Sequence, residues 1–103
     1  MWELQEIGAR VLSEKGNGNG HYIGEVVHYY NRIGVAVLDL IEPIQVGDMV
    51  HIRGYSNEFQ QPVKSLQIDL QAVDRADPEC DVAMKVDEIV RRGDKVYILK
   101  ERV

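Results

Sequence analysis

The sequence predicts an all-β fold, a small closed barrel of six or seven strands. Two observations lead there. Short apolar and β-branched runs, bounded by Gly, Pro, Asn and Asp, recur from Tyr22 to Leu99, with the roughly 8–12-residue spacing of sandwiches and barrels. The stretch Gln45-Val46-Gly47-Asp48-Met49-Val50-His51-Ile52-Arg53-Gly54 reads as a tight turn feeding a strand, and Gly93-Asp94-Lys95-Val96-Tyr97-Ile98 repeats its Gly-Asp-x-Val-x-Ile pattern 46 residues later. Gly47 can take a positive φ at little cost, and Asp48 can bond nearby backbone. Closure is expected because it removes sheet edges.

The elements follow in order. Leu4, Ile7, Val11 and Leu12 recur at helical spacing with Gly16 as a stop, and Ile7 to Leu12 reads equally as a strand. Gly16-Asn17-Gly18-Asn19-Gly20 is a linker or a broad loop. Residues 1–20 are therefore set apart as an N-terminal extension and residues 21–103 as the barrel. Tyr22 to Tyr29 is the first strand, Tyr30-Asn31-Arg32 turns, and Ile33 to Leu40 returns as an almost unbroken apolar strand. Pro43 ends that strand because it has no N–H for a ladder. Met49 to Arg53 follows, with Val50 and Ile52 on one face. Tyr55 to Gln61 is polar and turn-like. Pro62 to Leu70 alternates, and its change of parity at Ser65-Leu66 signals a bulge. Asp74 to Asp81 is an acidic loop around Pro78, and Val82 to Val86 and Lys95 to Leu99 are the last strands. The expected core is Val26, Val35, Val37, Leu38, Val50, Ile52, Leu66, Ile68, Val82, Met84, Val96 and Ile98.

At 103 residues the chain suits one domain. Its formal net charge is −5, and the C-terminal stretch 61–103, where basic residues concentrate, carries eight positive and nine negative side chains. That balance argues against nonspecific nucleic-acid binding. No apolar run approaches the roughly 20 residues of a membrane-spanning helix, and no secretory leader is visible. The single cysteine, Cys80, fits a reducing compartment. A soluble cytoplasmic protein is the expectation.

From Ile23 to Leu99 the chain resembles domain II of the translation GTPases, the β-barrel of elongation factor Tu. Gly24-x-Val26 resembles the opening of that family's first strand. Pro43-Ile44-Gln45-Val46-Gly47-Asp48-x-Val50 is similar to its "v-x-G-D-x-v" segment, and Val63-Lys64-Ser65-Leu66-Gln67 to its "v-x-s-i-q" strand. Ala76-Asp77-Pro78-Glu79-Cys80-Asp81-Val82-Ala83-Met84 is similar to "a-x-a-G-D-x-v-g-l", with Cys80 where the family has glycine. No Gly-x-x-x-x-Gly-Lys-Ser/Thr loop occurs, so no nucleotide is expected. The chain is similar also to free-standing elongation-factor-like proteins and to the barrel appended to peptidase-like proteins of tRNA hydroxylation. The resemblance implies a surface that contacts the acceptor end of tRNA, not an active site.

His21, His28 and His51 show no metal-ligand spacing, and the acidic neighbours Glu79 and Asp81 disfavour a Cys80 thiolate. Asp74, Asp77, Glu79 and Asp81 lack the Ca²⁺-loop pattern. No catalytic residue, metal or cofactor is therefore expected. Tyr29, Tyr30, Asn31 and Arg32 offer stacking, hydrogen bonds and a charge at a hairpin tip, which suits RNA or a protein partner. Tyr55, Asn57 and Phe59 form a second contact loop. Arg91 and Arg92, with Lys95, Lys100 and Arg102, make the C-terminus locally basic. The expectation is a non-catalytic binding module contacting tRNA or a translation-associated protein. The alternative is a protein–protein assembly module of an enzyme complex, without RNA.

Overall fold

Strand β1 (Gly20–Tyr30) is long enough to serve two partners, and the rest of the fold is arranged around it. The computed structural model describes residues 20–55 and 57–99; the proposed N-terminal extension, apart from Gly20, and the basic residues Lys100 and Arg102 lie outside them. The N-terminal half of β1 pairs with β10 (Lys95–Leu99), and its C-terminal half pairs with β2 (Val35–Leu40). The hand-over is marked by two register shifts, at Tyr22/Gly24 and at Val26/His28. Bulges of this kind bend a strand and sharpen its twist. Gly24 sits where β1 and β2 approach closely: a Cβ there would lie 2.2 Å from the Asp39 carbonyl oxygen.

The remaining strands extend the sheet on both sides. They are β3 (Ile44–Gln45), β4 (Met49–Arg53), β5 (Glu58–Pro62), β6 (Leu66–Ile68), β7 (Gln71–Val73), β8 (Arg75–Ala76) and β9 (Asp81–Lys85). Eight strands form one sheet in the order β5-β4-β10-β1-β2-β9-β6-β7, and β3 and β8 form a separate two-stranded sheet. Every pairing is antiparallel. The all-β fold is as expected; the closed barrel is not. The order has two ends, and among the described residues no backbone ladder joins β5 to β7.

A side chain does part of what a ladder would do. Gln61 on β5 is 1% exposed. Its Nε2 donates to the Lys85 carbonyl at 2.9 Å, and its Oε1 accepts the Asp87 amide at 2.7 Å. A primary amide carries one acceptor and two donor hydrogens, so it can replace a strand's own backbone here. Outside this seam Lys64 reaches Asp87 at 2.5 Å, an exposed pair contributing about 0–1 kcal/mol.

One core lies inside the curled sheet. Ile23, Val26, Leu38, Ile44, Ile52, Leu66, Val82, Met84 and Val96 are all at most 1% exposed. Nine of the twelve expected core residues are buried; Val35, Val37 and Ile68 are only half-buried. On β2 the inward residues are Ala36, Leu38 and Leu40. An unbroken apolar run hides its own parity, and the solvent-facing Asp39 was the clue.

The two Gly-Asp turns match in detail. Gly47 and Gly93 have φ of 100° and 93°. The Gln45 amide donates to Asp48 Oδ2 at 3.0 Å, and the Arg91 amide to Asp94 Oδ2 at 2.9 Å. The strands they launch, β4 and β10, pair with each other. Two stretches depart from expectation. Glu58–Pro62 is an edge strand rather than a turn, and Pro62 ends it. Leu66–Ile68 and Gln71–Val73 form a hairpin around Asp69 and Leu70, whose φ values of 51° and 68° are those of a type I′ turn. The bulges fall in β1, not at Ser65-Leu66. In the acidic loop Glu79 takes a positive φ of 73°.

Val50 is fully buried, so Val50→Asp places an unpaired charge in a core whose whole stability is about 5–15 kcal/mol. Circular dichroism should show an unfolded chain at 25 °C, and a melting temperature that hardly moves would remove Val50 from the core. Gln61→Leu strips two backbone groups of their partner, at a cost of about 1–3 kcal/mol. Its Tm should fall by roughly 4–8 °C for each kcal/mol lost; an unchanged Tm would mean the seam contributes nothing.

Candidate functional site

The sequence-derived site residues fall in two places. In the β1–β2 hairpin, residues 31–34 form the turn, closed by Gly34 at φ 67° and by its amide donating to the Tyr30 carbonyl at 2.9 Å. Alternation along β1 splits the tyrosines: Tyr29 packs against the core, and Tyr30 is half-exposed with its ring 4.3 Å from His28. Asn31 and Arg32 are exposed. Lys85 Nζ donates to the Ile33 carbonyl at 2.6 Å and pins the turn.

Arg91 and Arg92 lie in the exposed turn before β10. That turn is stapled to the middle of β1, where the Gly93 amide donates to the Val26 carbonyl and the Val26 amide to the Asp94 carbonyl. Four residues of strand, about 13 Å, separate this point from Tyr30. Asn57 ties its own loop to the same end, with Nδ2 donating to the Ile89 carbonyl at 2.9 Å. Tyr55 on that loop is fully exposed, and Phe59 packs against the core.

The structure also assembles a surface that the sequence did not disclose. On the outer face of β1, β10, β4 and β5 the registers align three rows. Tyr22, Tyr97, His51 and Gln60 form the middle row. Glu25, Lys95, Arg53 and Glu58 form a charged row on one side, and Gly20, Leu99, Met49 and Pro62 a largely apolar row on the other. The Tyr22 and Tyr97 ring centroids are 5.6 Å apart at 64°, and those of His51 and Tyr97 6.3 Å apart at 48°. The Arg53 guanidinium stands 5.9 Å from the Tyr97 centroid, within cation–π range. Gly20 makes room: a Cβ there would meet Tyr97 Cβ at 3.0 Å.

The charged row is self-neutralising. Lys95 bonds Glu25 at 2.8 Å, while Glu58 accepts from His51 at 2.7 Å and lies 3.6 Å from Arg53. The hydrogen bond that Lys95 donates to Glu25, reinforced by the carboxylate's charge, raises the Lys95 pKa above the ordinary lysine value. Among the described residues no three His, Cys, Asp or Glu side chains group to hold a metal: His21 lies 4.0 Å from Glu42, His51 is bonded to Glu58, and His28 meets the Tyr30 ring edge to face. No described helix is long and apolar enough to cross a membrane.

Known proteins place this geometry. The chain is 37% identical over 82 residues to an uncharacterized protease of Methanocaldococcus jannaschii, covering 79% of this chain and 20% of that protein. It is 30% identical over 83 residues to a collagenase of Porphyromonas gingivalis, covering 79% and 23%. The chain thus spans about a fifth of the length of these relatives. Its fold matches the C-terminal domain of a Geobacillus thermoleovorans U32 peptidase with a TM-score of 0.69 at 18% identity, covering 76% of this chain and 91% of that one. A selenomethionine variant of the same domain aligns equally well, with a TM-score of 0.69. No protein-family model matches.

These likenesses correct the expectations drawn from the sequence. The fold is that of a U32 peptidase C-terminal domain and not of an elongation-factor domain. Relatives named as a protease and a collagenase overturn both the translation-associated, RNA-binding reading and the expectation of a non-enzyme, and point to an enzyme instead. The turn and strand motifs quoted above are short, and small antiparallel folds share them because turn chemistry is shared.

The Lys95–Glu25 pair sits at the edge of the aromatic row and can be read directly. In the wild type, Lys95 should titrate above the ordinary lysine value by NMR, and Glu25→Gln should lower it. Because the folded-state pKa is the raised one, the pair's contribution is present below the ordinary lysine pKa and is lost as pH rises through the folded value. A Lys95 titration unmoved by Glu25→Gln would contradict the assignment.

Proposed function

We infer that this chain is a domain of a U32-type peptidase and that its share of the enzyme's work is to position polypeptide. The observation that carries this is the 37% identity with the Methanocaldococcus jannaschii protease over 79% of the chain. The Porphyromonas gingivalis relative is named as a collagenase, which supports an unfolded or extended polypeptide as the substrate class. The outer-face rows support it too. Half-buried aromatic rings flanked by Met49, Leu99 and internally paired charges offer apolar contact without a net field that would demand a charged ligand.

Fluorescence anisotropy of labelled, unfolded casein and gelatin titrated with the 103-residue chain tests this. The expected result is saturable binding with a Kd of about 10–100 μM, roughly −7 to −5.5 kcal/mol, unaffected by added tRNA. Binding to tRNA with no binding to either polypeptide would overturn the reading.

A further inference from the structure

We propose that the end of the sheet where three loops meet is a docking surface for an acidic, partly apolar segment of polypeptide. This rests on the reading that the domain handles polypeptide, and it names the place and the charge of the segment.

Hydrogen bonds bring the loops together. The Val86 amide donates to the Gly34 carbonyl at 2.9 Å and joins the 31–34 turn to the 86–94 segment. Asn57 Nδ2 donates to the Ile89 carbonyl at 2.9 Å and joins the loop of Tyr55 to the same segment. The Gly93 amide, bonded to the Val26 carbonyl at 2.7 Å, fixes its far end. Val86 and Val90 are buried and hold the segment down on either side of Ile89, which is left 65% exposed. Ile33, 58% exposed, and Tyr55, fully exposed, stand on the other two loops. Large apolar side chains from all three loops are thus held out into solvent on a frame that is already fixed, so a ligand that lands on them has little loop ordering left to impose.

Charge selects the ligand. Among the described residues Arg53, Lys64, Arg75 and Lys95 are each paired with a carboxylate, and Lys85 is bonded to the Ile33 carbonyl. Arg32, Arg91 and Arg92 have no such partner among the described residues, and all three lie exposed in these loops. The carboxylates of the 86–94 segment do not answer them. Asp94 is 7% exposed and accepts the Arg91 amide, and Asp87 accepts from Lys64. Glu88 is left, one carboxylate against three guanidiniums. A guanidinium binds a carboxylate through two parallel N–H···O bonds, and Tyr and Arg are the commonest anchors of protein interfaces. The matching segment carries Asp or Glu beside Leu, Ile, Val or Phe. A nucleic-acid backbone would satisfy the guanidiniums and leave Ile33 and Ile89 uncovered.

The test is NMR chemical-shift mapping on the full 103-residue chain with two peptides of equal length, one alternating Glu with Leu and Phe, the other with Gln in place of each Glu. The acidic peptide should shift Ile33, Tyr55, Ile89, Arg91 and Arg92 saturably. The Gln peptide should bind about tenfold more weakly, the equivalent of ~1.4 kcal/mol. Arg91→Gln combined with Arg92→Gln should weaken the acidic peptide by a similar factor and leave the Gln peptide unchanged, and Tyr55→Ser should weaken both. All three side chains are exposed, so these variants keep the fold. Equal binding of the two peptides, shifts confined to the Tyr22–Tyr97 row, wild-type affinity in both variants, or tRNA shifting these residues where the acidic peptide does not would overturn the proposal. Gelatin and unfolded casein separate this surface from the broader reading. If either binds while the acidic peptide does not, the surface is wrong and the polypeptide-handling reading stands; if none of the three binds, both fail.

Discussion

The fold depends on how a curled sheet with two free ends is kept curled. Among the described residues the eight-stranded sheet ends at β5 on one side and β7 on the other, and the β3–β8 ladder, with the Val46 amide donating to the Asp74 carbonyl at 2.9 Å, ties the segment before β4 to the segment after β7. The Gln61 amide crosses from β5 to the Lys85 carbonyl and the Asp87 amide at the end of β9. A buried amide in this position is favourable only because both of its ends are satisfied; leaving either unpaired would cost more than the bond contributes. Once the seam holds, the inner faces of both halves of the sheet meet in one core. The outer face is then curved and fixed, and rows of side chains can align across four strands.

That alignment links fold to surface. The rings of Tyr22, Tyr97 and His51 come from three strands that are neighbours only through the β1–β10–β4 registers. A one-residue slip of β10 would send Tyr97 inward and Ile98 outward. The Gly-Asp turns before β4 and β10 guard against it. Each glycine supplies the positive φ, and each aspartate caps the turn. Turn chemistry therefore sets the register, and the register sets the surface.

Much of this was legible in the sequence, and the parts that were not share physical causes. The turns at Gly47 and Gly93, the strands they launch and most of the core follow from local chemistry. Glu58–Pro62 did not read as a strand because an edge strand is polar, and its one buried side chain, Gln61, is polar as well. The β6–β7 hairpin turns on Asp69 and Leu70 without a glycine to announce it. Tyr29 and Tyr30 read as one contact pair, but strand alternation sends them to opposite faces. The aromatic row could not be seen before the register was known. Likewise, short turn motifs could not separate a translation-factor barrel from the fold of a U32 peptidase C-terminal domain, and the match of whole folds could.

The measurement that tests the Gln61 seam most directly is native-state hydrogen exchange at the Asp87 amide. This N–H lies outside every described strand and donates to a side chain rather than to a backbone ladder. The account predicts protection approaching that of the Val50 and Val96 amides in the core strands, because opening the seam requires uncurling the sheet. Exchange at the rate of an exposed loop, with the core strands still protected, would show that the sheet keeps its curl without Gln61.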